Sequence, residues 1–232
     1  MIAVFMKTDV DTIRRYARVA GFAYLIIIVC GLFAELAVRQ ALIAPGDPAQ
    51  TASNVRNNEL LFRTGIVADL VMVAADIVVA LALYIVLAPV DRHLSRLAAF
   101  FRLVQASVLG ANLINLVLAL LLIGGTSLIA GQNESWISVY LEAHALGYLI
   151  GLVFFGVSCL IVGRLIVRSS YAPTWIGALI MVAGVGYLID SFGQFLWAGY
   201  PEELSYAVLL PALVGEVSFC AWLIAKGSKI EV

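Results

Sequence analysis

Long apolar runs alternate with short polar breaks along the whole chain. The runs cover residues 17–38, 60–88, 97–124, 136–167, 174–197 and 205–225. A hydrocarbon core of about 30 Å needs about 20 apolar residues in a helix. Each run therefore predicts a membrane span, and the second, third and fourth are long enough to tilt or to project beyond the core. The fold class expected is all-α: a polytopic membrane helix bundle of six transmembrane helices, forming one integral membrane domain over residues 1–232. Short connections favour antiparallel neighbours. Pro89, Pro173 and Pro201 stand at the breaks, where a missing N–H costs least. Asp47 followed by Pro48 reads as a helix cap and a first-turn proline, predicting a short surface helix over residues 48–57.

Lys and Arg sort by side. Lys7, Arg14, Arg15, Arg18, Arg92, Arg96, Arg164, Arg168, Lys226 and Lys229 flank one set of span ends, against Arg39 and Arg56 at the other. By the positive-inside rule both termini are expected in the cytoplasm. A polar lead before the first run favours a retained anchor over a cleaved signal.

Composition agrees with the spans. The 232 residues are 63% hydrophobic and 12% charged, with a mean hydropathy of +1.03, against about 25% charged in a soluble domain. Membrane lipid is the expected surrounding, and a net charge of −1 offers nothing to nucleic acid. Cys30, Cys159 and Cys220 lie in apolar runs without metal-binding spacing and read as small buried hydrophobes.

The informative residues are ionisable groups inside the runs, since each costs about 2.5–3.5 kcal/mol at a helix centre on insertion scales. Placed by depth they form two layers. An outer layer takes Glu35, Arg63, Asp69, Glu142, His144, Tyr148, Tyr187, Asp190 and Gln194. Four carboxylates around one Arg leave an excess of negative charge to be protonated, hydrated or met by a cation. This layer is the candidate ligand site. An inner layer takes Asp76, Arg102, Gln105, Asn112, Asn115 and Glu216. Asp76, Arg102 and Glu216 could neutralise one another there, and the asparagines could bond between helices, a structural role.

No metal is assigned. Glu142 and His144 are two residues apart and point away from each other on a regular helix. No cofactor is assigned either, for phosphate-loop, zinc-helix and serine-elbow signatures are absent. Gly147 and Gly151 form a GxxxG that suits close helix packing.

Several phrases resemble a family of six-span bacterial membrane proteins, domain of unknown function 4386. They are Arg18-Val-Ala-Gly-Phe-Ala-Tyr-Leu, Leu61-Phe-Arg-Thr-Gly-Ile-Val-Ala-Asp-Leu, His144-Ala-Leu-Gly-Tyr-Leu-Ile-Gly-Leu-Val-Phe-Phe-Gly, and Tyr171-Ala-Pro. The resemblance covers residues 14–226 and implies a bacterial inner-membrane protein. It brings no activity and no catalytic residues. Three functions stay open: binding or transport of a small polar or cationic solute, an intramembrane enzyme acting on a lipid-like substrate, and a structural or accessory subunit. Six spans are few for a monomeric transporter, so a homodimer is an option for the first.

Overall fold

The computed structural model describes residues 9–124 and 133–227. Among the described residues there are seven helices and no strand: α1 (Val10–Leu42), α2 (Pro48–Asn57), α3 (Glu59–Leu87), α4 (Arg92–Ile123), α5 (Asn133–Arg168), α6 (Thr174–Leu196) and α7 (Glu202–Lys226). All but α2 are long and apolar enough to cross a membrane, and they expose many large apolar side chains, Phe22, Val29, Val67, Ile77 and Ile114 among them. Such faces imply contact with lipid, where a helix satisfies its own backbone polar groups.

Two helices depart from regularity. Within α1 the stretch Phe33–Arg39 is π-helical, so its side chains are rotated relative to an α-helical register. In α7 Pro211 stands in the interior. It has no N–H to donate, which leaves the Ala207 carbonyl without its helical partner. The first span also starts earlier than its apolar run. Val10 is already helical, and Ile13 and Ala17 are fully buried, so the polar lead presents an apolar stripe of its own.

The chain divides into two compact units. Among the described residues the first comprises 9–25, 76–104 and 152–227; the second comprises 26–75, 105–124 and 133–151.

In the first unit α5 and α6 meet backbone to backbone at two heights. A Cβ on Gly163 would lie 2.5 Å from the Gly177 carbonyl oxygen, and one on Gly177 would lie 2.6 Å from the Gly163 oxygen. Gly156 and Gly184 repeat the arrangement one heptad away, at 2.9 and 2.6 Å. Small residues at such contacts are how helices associate in lipid, where no hydrophobic drive operates between them. At the start of α4 the Asp91 carboxylate accepts hydrogen bonds from the N–H groups of His93 and Leu94, both 3.1 Å, and Arg168 lies 3.6 Å from it. Those N–H groups have no helical carbonyl to bond, so the carboxylate caps the helix.

In the second unit, α2 occupies the residues its cap and proline foretold. Asp47 Oδ1 accepts from Gln50 N at 2.9 Å, and Ala52 and Val55 join an apolar core with Val38, Phe62, Leu116 and Ile137. Gly147 and Gly151 face α4: a Cβ at the first would collide with the Asn112 side chain, and one at the second would lie 2.7 Å from Leu109 Cδ2.

Candidate functional site

The most elaborate polar group lies in the first unit and draws a side chain from each of the six spanning helices. Asp76 of α3 and Arg102 of α4 are almost completely buried. Arg102 Nε donates to Asp76 Oδ1 at 2.9 Å, and Nη2 lies 2.7 Å from the same oxygen. The guanidinium carbon stands 5.0 Å from the ring centre of Tyr24 in α1 and 4.9 Å from that of Phe155 in α5. The cation thus has a carboxylate for its charge and two aromatic faces for its planar sides, each such face worth about 2 kcal/mol in a desolvated setting.

Glu216 of α7 completes the group. The Tyr24 hydroxyl donates to its Oε2 at 3.2 Å, and the Tyr187 hydroxyl of α6 donates to its Oε1. Rings lock these hydroxyls in place: Tyr24 meets Phe219 edge-on with centres 6.1 Å apart, and Tyr187 lies against Phe155 at 5.2 Å. Glu216 is itself buried. Arg102 spends its charge on Asp76, so Glu216 is held by neutral donors, and the group carries one carboxylate in excess. A carboxyl in that position holds a proton or a cation, because an uncompensated charge in hydrocarbon is too costly.

A second polar group of the first unit surrounds Asp190, also buried. Ser205 Oγ donates to Asp190 Oδ1 at 2.6 Å, and Gln194 Nε2 donates to Oδ2 at 2.9 Å. Gln194 Nε2 also lies 3.4 Å from Ser205 Oγ, so the group ties α6 to α7 through hydrogen bonds alone.

In the second unit the buried Asp69 is answered by Arg39, at 2.7 Å from Nη1 to Oδ2. Arg39 Nε reaches back to Glu35 at 2.8 Å. Glu35 is half exposed. Arg63 is exposed and pairs within its own helix with Glu59 at 2.7 Å. His144 is buried, with Asn112 Nδ2 donating to its carbonyl at 2.8 Å and lying 3.2 Å from its Nδ1. Asn115 donates to Asn112 Oδ1 at 2.9 Å, and Tyr148 tilts against the His144 ring, centres 6.4 Å apart. Gln105 is buried on α4. Glu142 is exposed.

Two participants escape a reading of the chain by charge and depth. Tyr24 is a neutral aromatic in an apolar run, and only its partner's carboxylate gives it away. Arg39 counts as a loop charge when the first span ends at residue 38; the helix continues to Leu42, with Arg39 closing the π-helical stretch. Tyr187, grouped by depth with the outer layer, donates to Glu216 of the inner one.

The family described as Domain of unknown function (DUF4386) matches residues 19–227. A protein of Archaeoglobus fulgidus, described as uncharacterized, is 32% identical over 166 residues, spanning 72% of this chain and 85% of its own. No solved structure matches.

Proposed function

The chain belongs to this family of membrane-spanning helical proteins, and we propose that it binds and moves a small polar or cationic solute in exchange for a proton held at Glu216. One observation carries the reading: a buried carboxyl held by two tyrosine hydroxyls, while the neighbouring Arg102 is already committed to Asp76. A carboxyl of that kind gains a proton or a cation and loses it when the other arrives, which is the elementary step of exchange. Pro211, five residues before Glu216, removes one backbone hydrogen bond from the helix that bears it, and proline is the commonest place for such a helix to bend. Asp190 and the Glu35–Arg39–Asp69 group are further acidic sites in the same reading, toward the outer face. The arginine and lysine distribution supports an orientation with both termini in the cytoplasm.

A scaffold reading has its own support. The Arg39–Asp69 pair and the Asn112–His144 contacts are close and join one helix to another, as they would if polar groups only fixed helix register.

The test uses purified protein in vesicles enclosing a pH-sensitive dye. Methylammonium, guanidinium, sodium and potassium salts are added outside in turn. Proton movement driven by one of these, absent with Glu216→Gln, is the expected result. Infrared titration supplies the independent check. If no protonated-carboxyl band of the wild type disappears in Glu216→Gln, the exchange reading is wrong and the scaffold reading stands.

A further inference from the structure

Four arginines of the first unit gather where α4 begins and α5 ends. Ser158 Oγ of α5 donates to the Ala98 carbonyl of α4 at 2.9 Å. Nearer the helix ends, Arg168 of α5 stands 3.6 Å from the carboxylate of Asp91, the residue before α4. The two helices are therefore antiparallel neighbours here. Arg92 and Arg96 lie in the first two turns of α4, Arg164 and Arg168 in the last two of α5, and all are exposed. Members of each pair are four residues apart and share a helix face. The Tyr84 side chain of α3 stands beside both Arg92 and Arg96.

This patch is short of negative charge. Among the described residues no carboxylate pairs with Arg92, Arg96 or Arg164, and only Asp91 approaches Arg168. Asp91 is also engaged by the His93 and Leu94 N–H groups, so the start of α4 is already capped and the arginines alone supply the attraction. Arg39 and Arg63, by contrast, each have a carboxylate at 2.7 Å. Next to the charges the surface turns apolar. Phe100 and Val104 follow Arg92 and Arg96 along α4 at four-residue steps, and both are exposed.

We propose that this face binds an anionic phospholipid, its phosphate held among the four arginines and an acyl chain lying along Phe100 and Val104. Guanidinium groups match phosphate oxygens with paired N–H donors, and basic clusters at the ends of membrane helices hold anionic lipid heads. A soluble phosphate would use the charges alone. Arginines set directly above an exposed apolar stripe match a molecule that is charged at one end and hydrocarbon at the other.

Native mass spectrometry of delipidated protein in a neutral detergent tests this, with dioleoyl phosphatidylglycerol or dioleoyl phosphatidylcholine added in steps. An arginine near a membrane surface contributes about fivefold to the affinity for an anionic lipid. Wild type should therefore favour phosphatidylglycerol by about tenfold or more, and Arg92→Gln/Arg96→Gln and Arg164→Gln/Arg168→Gln should each weaken its binding about 25-fold. Arg15→Gln/Arg18→Gln removes equal charge from α1, where the Arg18 backbone lies near Gly227 just past the end of α7, and should leave the affinity unchanged. All six arginines are exposed, so none of the variants disturbs the interior. Glycerol phosphate in large excess should not displace the lipid. Equal affinity for the two lipids overturns the proposal. Equal losses in all three double variants do so too, because the attraction would then be diffuse charge. Displacement by glycerol phosphate overturns it in favour of a soluble phosphate. None of these readouts involves Glu216, so this proposal and the exchange reading fail separately.

Discussion

Arg102→Met and Asp76→Leu should behave very differently alone and together. Asp76 and Arg102 are 2% and 3% exposed, and both contacts run to a single carboxylate oxygen at 2.7–2.9 Å. Removing one partner of a buried pair typically costs about 3–5 kcal/mol, because the survivor is left charged and unpaired. Arg102→Met also forfeits two aromatic faces, about 2 kcal/mol apiece. The Asp76 left by Arg102→Met can take up a proton, however, whereas the guanidinium left by Asp76→Leu cannot shed one and must fall back on Glu216. The two single variants are therefore each expected to lose about 3–5 kcal/mol, with Asp76→Leu less responsive to acid. The double variant replaces both charges by apolar groups and is expected to lose far less than the sum of the singles. Equilibrium unfolding in mixed micelles, run as a double-mutant cycle, gives the coupling energy directly. Additive losses, or single variants as stable as wild type, would refute the reasoning, since the pair would then be solvated rather than sealed.

Other consequences follow from the same geometry. Gly163→Leu drives a side chain into the Gly177 carbonyl and should cost about 1–3 kcal/mol or more in the same unfolding assay, whereas Gly124→Ala, whose nearest contacts are 3.5 Å away, should be near neutral. Arg39→Gln strips Asp69 of its cation and should destabilise by more than 1 kcal/mol, while Arg63→Gln breaks an exposed pair and should change stability by less than about 1 kcal/mol. The Asp91 carboxyl is held below its usual range, chiefly by the Leu94 N–H and further by His93 and Arg168. A depressed carboxyl contributes stability above its unfolded pKa of about 3.9 and loses it as pH falls through the folded value. Melting temperatures compared between neutral pH and below about pH 4 should therefore converge for wild type and Asp91→Asn at the acid end; a constant gap would contradict the cap.

The spans were legible because length and hydropathy decide them, and α2 because Asp47 and Pro48 have a defined physical role at a helix start. The site was legible only in part. Charge and depth single out Asp76, Arg102 and Glu216, but they say nothing of azimuth, which decides who meets whom. Tyr24 carries no formal charge and became visible only through the carboxylate it bonds, and Tyr187 was picked out by depth but grouped with the outer layer, whereas its hydroxyl bonds Glu216 of the inner one. Arg63 had Glu59 four residues before it, a local partner that spacing alone could have disclosed. Arg39 was hidden by a span ended four residues early, and the π-helical turn that carries it has no sequence signature. Pro211 was in plain view, but its meaning depends on lying one and a half turns from Glu216.

The paired glycines of α5 and α6 have a mechanical consequence. Where two backbones touch at glycines, the touching residues have no rotamers to exchange and little slack is left to take up. These two helices must then travel as a single stiff lever, carrying Phe155 and Tyr187 together. Strain arriving from either end has to be released where the structure yields most easily, which is the missing rung at Pro211. Opening the grip on Glu216 would thus be a matter of α7 flexing beneath a fixed pair, and the carboxyl would leave its tyrosine rather than the tyrosine leave the carboxyl.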